Sequence, residues 1–342
     1  MYTLDIISKI LESVNGSNVT DIHLTAGTVP AVRIDGKLSY TTRFSMIRPD
    51  DIWNIIDQML NDEHKKVLKE QNYLCVTVVL DNIGRVRANI FKQRGSYALN
   101  IKILDQRLKT PEELGIPQVV IDLHKKESGL ILICGNKSSG KSTTVTSIIK
   151  KICTSRACQI ITIEDPIQYL HKHDKAIVNQ IEIGLDVNSF EEALNCAMTQ
   201  DADVIMTSFA GSPEIFSALL SAAENGHLVI ATLQTVDTIS TIEYILSMFP
   251  AERREHVRVV LGNVLQAIIS QKLLPAKDGS SYKLAAEVML ANQAMKNLII
   301  ENKIHQIPAL IKASKALGMI TMEDSVKELY RIGAIDESWL NM

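Results

Sequence analysis

Gly135-Asn136-Lys137-Ser138-Ser139-Gly140-Lys141-Ser142 has the spacing GxxxxGK[ST]. The glycines let the chain curl so that successive backbone N–H groups point at one phosphate. A helix starting at that point adds about half a positive charge. The ammonium of Lys141 is placed to reach the β- and γ-phosphates of a nucleoside triphosphate, and the Ser142 hydroxyl to hold Mg²⁺. An apolar strand, Leu130 to Cys134, stands before the motif and a helical stretch follows it, which is the context the chemistry needs. The candidate phosphate-binding residues are Gly135, Ser138, Ser139, Gly140, Lys141, Ser142 and Thr143. Lys141 is also a candidate catalytic group, and Ser142 is the candidate metal ligand.

A second candidate is Glu164-Asp165, at the end of Ile161-Thr162-Ile163 and followed by Pro166. Carboxylates at the carboxyl end of a parallel strand lie where ligands bind in such sheets. Glu164 there can act as general base toward a water. Spacing alone leaves a plain strand cap equally open. His171 and His173 alternate with lysines, the pattern of a solvated loop more than of a metal pair. Arg253-Arg254 between Glu252 and Glu255 reads as an exposed helix face.

The elements that must position these groups fall into two styles. Residues 1–98 read as a mixed module: a helix over Asp5 to Val14 stopped by Asn15-Gly16, a hairpin at Asp35-Gly36 and a helix over Asp50 to Leu68. Strands at Leu74 to Leu80 and Arg85 to Phe91 follow, joined by the turn Asp81 to Gly84. Residues 99–118, with Pro111, Gly115 and Pro117, read as a connector. From residue 119 to 342 short apolar strands alternate with longer helical stretches, which predicts an α/β fold on a parallel sheet. After Thr238 the chain reads as mostly helical, with one short strand near Leu284 to Leu290.

Composition narrows the class. The chain has 342 residues, which fits about two domains. Its net charge of −3 and aromatic content of 5% leave little for phosphate-backbone attraction or base stacking, so no nucleic-acid partner is expected. No apolar stretch approaches a membrane span. The N-terminus lacks a basic region followed by an apolar core. The five cysteines, odd in number and without a CxxC pair, argue against a disulfide framework and a zinc knuckle. These features predict a reduced, cytoplasmic protein.

GNKSSGKSTT, ITIEDPIQYLH, SFEEALNCAMTQDADVI and AAENGHLVIATLQT together resemble the motor ATPases of type II secretion and type IV pili, over nearly the whole chain. TDIHLTAGTVPAVRIDGKL resembles the opening of that family's PAS-like domain. AMKNLIIE and the missing four-cysteine zinc element resemble the retraction-type motors. The resemblance implies a RecA-like P-loop ATPase core behind a smaller α+β module. It also implies ATP and Mg²⁺ as cofactors, a homohexameric ring and an inner-membrane platform protein at the pilus base as partner. A second pilus motor ATPase is a further partner in this reading. The resemblance makes Glu164 the catalytic glutamate and His227 the first histidine of the histidine box. Gln234 stands in place of the second histidine, and Arg85, Arg87 and Arg94 are directed at a nucleotide. Three departures stand out: Phe209 where the Walker B glutamate is expected, Gly211 where an arginine follows, and Ile101 in place of a further arginine. They predict nucleotide binding that outlasts hydrolysis. Three readings follow: an active but slowed motor, a hydrolysis-deficient ring partner, and a RecA-like nucleic-acid translocase, against which the charge and aromatic content stand.

Overall fold

The computed structural model describes residues 2–14, 19–34, 36–81, 83–104, 110–279 and 281–341. Two compact units form, Met1–Arg107 and Leu108–Met342. The predicted helix stop at Asn15-Gly16, and Asp35 and Asn82 of the two predicted turns, lie outside the described residues.

The N-terminal unit contains α1 (Ile6–Ser13), β1 (Val19–Thr25), β2 (Ala31–Ile34), β3 (Lys37–Tyr40), α2 (Pro49–Met59), α3 (Asp62–Gln71), β4 (Tyr73–Leu80), β5 (Gly84–Gln93) and β6 (Ser96–Ile103). The strands form one antiparallel sheet in the order β3-β2-β1-β6-β5-β4. Its alternation is plain in β5. Val86, Ala88 and Ile90 face a core shared with Ile52, Ile55, Ile56 and Leu68 of the helices. Arg85, Arg87 and Asn89 take the other face. This is the expected PAS-like α+β module, with two differences. The helix expected over 50–68 is two helices. The chain leaves helical geometry at Leu60, and the Asn61 side chain then accepts from the His64 amide at 2.8 Å to start α3. Residues 99–103, read as the start of the connector, are the second half of β6. Leu99 and Ile101 are buried in the module's core, and the strand pairs with both β1 and β5.

The second unit contains α4 (Gln118–Ile121), β7 (Gly129–Cys134), α5 (Lys141–Ser155), β8 (Gln159–Glu164), β9 (Ile177–Glu182), α6 (Phe190–Thr199), β10 (Val204–Thr207), α7 (Pro213–Glu224), β11 (Leu228–Leu233), α8 (Thr238–Ser247), α9 (Ala251–Val264), β12 (Leu265–Pro275), β13 (Tyr282–Leu290), α10 (Gln293–Ile300), α11 (Ile307–Ala313) and α12 (Met322–Arg331). The sheet order is β13-β12-β7-β11-β10-β8-β9, with only β13 antiparallel to its neighbour. Helices cover both faces, so β7, β10 and β11 are buried along their whole length. Leu130, Leu132 and Cys134 of β7 enter the core under α6 to α11. Ile131 and Ile133 enter the core under α4 and α5. Two strands were not predicted. β9 is a short edge strand. β12 is an eleven-residue central strand inside a stretch that reads as helical. Among the described residues no helix is long and apolar enough to cross a membrane.

Candidate nucleotide site

The carboxyl ends of the parallel strands form one edge of the sheet. Along it stand, in spatial order, Gln271 within β12, the phosphate loop after β7, Gln234 after β11, Phe209 after β10 and Glu164 at the end of β8. The sequence scatters these groups over more than a hundred residues, and the parallel crossovers collect them.

The phosphate loop is built on three positive-φ residues: Gly135 (φ +148°), Ser138 (+65°) and Gly140 (+87°). Gly140 caps α5 in left-handed geometry. The helix therefore begins at Lys141 with its first amides lacking intrahelical acceptors. Lys141 folds back, its Nζ donating to the carbonyls of Gly135 at 2.7 Å and Asn136 at 2.8 Å. Partial burial lowers the Lys141 pKa from its ordinary value. A phosphate offers the ammonium a charged acceptor in place of two neutral ones. Below the loop, Cys134 is fully buried and its thiol is pushed up to about 11 by burial, so it packs and is not a nucleophile.

Gln271 is the functional residue that sequence reasoning missed. It is 1% exposed, and its Nε2 donates to the Ser139 carbonyl at 2.8 Å. Its own carbonyl lies 2.5 Å from where a Gly135 Cβ would stand, and Ser139 Oγ lies 2.4 Å from that point. A polar Ser270-Gln271 pair inside an apolar, β-branched run was the available signal. The fit predicts that Gly135→Ala weakens nucleotide binding by about tenfold or more, since side chain and backbone both resist it. Titration with a fluorescent nucleotide checks this.

Glu164 is 7% exposed at the end of β8. Its Oε1 accepts from Thr162 Oγ1 at 2.9 Å and from Gln180 Nε2 at 3.2 Å. The Gln168 amide donates to Oε2 at 3.4 Å. Three strand spacings, roughly 14 Å, separate β7 from β8. Across that gap, Thr143 Oγ1 and the Tyr169 hydroxyl meet at 3.4 Å, joining the first turn of α5 to the segment after Glu164.

Phe209 extends from the end of β10, 42% exposed, with its ring 5.2 Å from that of Phe190. The same ring would lie 2.6 Å from a Cβ at Gly211. The two departures from the family pattern therefore lie in contact. With the Phe209 ring as placed, a side chain at 211 would require the ring to shift. Gln234 is exposed beside the loop, since Leu233 pairs with Cys134 and accepts from the Gly135 amide.

Within the second unit, His227 is not gathered here. His227 precedes β11, next to Gly129 at the start of β7. It therefore stands at the opposite edge of the sheet, roughly 20 Å of extended strand from the loop. Its Nδ1 lies 2.9 Å from the Ala222 carbonyl. Arg85, Arg87 and Arg94 belong to the N-terminal unit. Arg87 Nε donates to Cys75 Sγ at 3.0 Å, and Arg94 is an exposed turn residue with φ +46°. Arg85 and Arg94 are separated along β5 by roughly 30 Å, so the three do not form one cluster.

His173 Nδ1 accepts the Val178 amide, and among the described residues no group of three metal-ligating side chains occurs. The Ser142 hydroxyl at the start of α5 would offer one protein oxygen to a magnesium ion arriving with a nucleotide, whose phosphate and water oxygens would supply the rest.

The "Twitching motility protein" of Neisseria gonorrhoeae is 34% identical over 90% of this chain and 82% of its own length. The "Type IV pilus retractation ATPase PilT" of Pseudomonas aeruginosa is 32% identical over 96% of this chain and 95% of its own. The crystal structure of the pilus retraction motor PilT with bound ADP superposes with a TM-score of 0.91 at 40% identity, covering 99% of this chain and 95% of that one. The second unit is thus a RecA-like P-loop ATPase core. The model of the type II/IV secretion system protein family matches residues 101–327, and the chain belongs to that family.

Proposed function

We propose that the chain is a motor ATPase of a type IV pilus system, of the retraction type. It binds ATP with Mg²⁺ in the phosphate loop and works as a homohexamer on the cytoplasmic face of the membrane, against a platform protein. The observation that carries this reading is the pairing of a complete phosphate loop with a buried, hydrogen-bonded Glu164 on the same sheet edge. In the mechanism, the amides at the start of α5 and the Lys141 ammonium bind and orient the β- and γ-phosphates. Magnesium, held through Ser142, supplies charge neutralisation on the phosphate oxygens when bound. Glu164 accepts the proton of the attacking water. Its partners Thr162 and Gln180 donate to it and fix the orientation of the carboxylate.

A second reading, a hydrolysis-deficient ring partner of another pilus motor, draws on Phe209. An apolar ring cannot hold the magnesium-bound water that a carboxylate there would hold. Phosphate release from Mg-ATP by the assembled ring separates the two: turnover fits the motor, and tight ATP binding without turnover fits the partner. Phe209→Glu is expected to raise turnover by about tenfold or more. Unchanged turnover in this variant argues against Phe209 as the limiting residue.

A further inference from the structure

Gln180 lies on β9 as the register partner of Thr162 on β8. Its amide makes three hydrogen bonds of different kinds. Nε2 donates to Glu164 Oε1 at 3.2 Å and to the Tyr169 carbonyl at 2.8 Å, and Oε1 accepts from the His171 amide at 2.8 Å. Two donations and one acceptance at a single side chain is a task for a carboxamide. Glutamate would place a further carboxylate against Glu164, and leucine would take one donor from Glu164 and the amide's bonds from the Tyr169 carbonyl and the His171 amide.

These bonds lay the segment 165–171 across the ends of β8 and β9. The Ile167 amide adds a bond to Glu182 Oε2 at 3.1 Å, and the Gln168 amide one to Glu164 Oε2 at 3.4 Å. At the centre of the segment, Tyr169 carries two links. Its carbonyl is held by Gln180, and its hydroxyl meets Thr143, one residue past Ser142. The charged groups facing the segment are few. Glu182 sits on β9 beside Glu164, and Lys150 on α5 acts on His171. Burial first, and then Lys150, lower the His171 pKa to about 4, so its imidazole stays neutral near pH 7 and contributes no competing charge.

We propose that Gln180 is a positioning residue with two linked roles. It holds the Glu164 carboxylate in place, and through Tyr169 it ties that carboxylate to the first turn of α5, so that filling the phosphate loop tightens the segment that follows the base. The first role rests on Glu164 being the base. The second does not.

The test uses the full-length assembled protein with Mg-ATP and with a non-hydrolysable ATP analogue. The variants are Gln180→Leu, Tyr169→Phe, Glu164→Gln and the Gln180→Leu/Glu164→Gln double. Removing a donor to an ionised carboxylate raises its pKa. The acid limb of turnover in Gln180→Leu should therefore rise by about one pH unit, with nucleotide affinity unchanged within about twofold. Adding Gln180→Leu to Glu164→Gln should change residual turnover no further, because the amide acts through the carboxylate. A residue that only supports the fold would lower the melting temperature and leave the acid limb where it was. Amide hydrogen exchange over 165–171 reads the second role without hydrolysis: the analogue should slow exchange in the wild type, and that slowing should be lost in both Gln180→Leu and Tyr169→Phe. An unmoved acid limb in Gln180→Leu overturns the first role, and retained slowing in both variants overturns the second. If Glu164→Gln turns over like the wild type, the base reading has failed and the first role falls with it. If the wild type does not hydrolyse ATP, the motor reading has failed. In either case the exchange result alone decides the link to the phosphate loop.

Discussion

Glu164→Gln lowers ATP turnover by roughly 10²–10⁴-fold and leaves nucleotide affinity within about twofold. The substitution keeps the size and the planar shape of the side chain and removes the ability to accept a proton. Its amide oxygen still accepts from Thr162 and Gln180, and only the long 3.4 Å bond from the Gln168 amide loses its acceptor. The buried end of β8 is therefore kept, and the loss falls on the chemical step. A carboxylate that merely capped the strand would show the reverse pattern, with a lower melting temperature and little change in turnover per folded subunit. Phosphate release and fluorescent-nucleotide titration, made on the same preparations, separate the two.

Lys141→Ala acts earlier. In the structure the ammonium sits on the carbonyls of Gly135 and Asn136, so part of the cost of its desolvation is already met before a ligand arrives. Moving to a phosphate exchanges two neutral acceptors for charged ones, and a charge-assisted hydrogen bond contributes about 1.5–3 kcal/mol. With two phosphates in reach, removing the ammonium should weaken ATP binding by roughly 10²–10⁴-fold and abolish turnover. Lys141→Arg should not restore it. The guanidinium is larger and planar, whereas the loop seats a compact ammonium on the carbonyls of Gly135 and Asn136. A titration in which the alanine variant binds ATP as well as the wild type would remove the loop from the account.

The legible parts of this molecule were those where local chemistry and local structure coincide. The phosphate loop needs four fixed residues between a strand and a helix, and all of it lies within a few turns of chain. Glu164 was half legible. Its place at a strand end showed, but not its burial or its hydrogen bonds from Thr162, Gln180 and Gln168, which depend on β9 pairing beside it. β12 was hidden because α9 ends at Val264 and the strand begins at Leu265, with no glycine or proline between them. Gln271 was hidden with it. His227 stands only seven residues from Gln234 in the chain, but the strand between them is extended and puts them on opposite edges of the sheet. The same extension spreads Arg85 and Arg94 apart along β5. The departure at Phe209 was visible as a residue type, but its consequence for Gly211 was not. That consequence rests on where the ring lies, which only the packing against Phe190 reveals.

The most direct test of the account is Mg²⁺-dependent phosphate release from ATP by the assembled wild-type protein, with Glu164→Gln measured beside it at matched nucleotide occupancy. The account predicts measurable turnover in the wild type and its loss in Glu164→Gln, with both proteins binding ATP. No phosphate release from the wild type at saturating Mg-ATP, or equal rates in the two proteins, would contradict it.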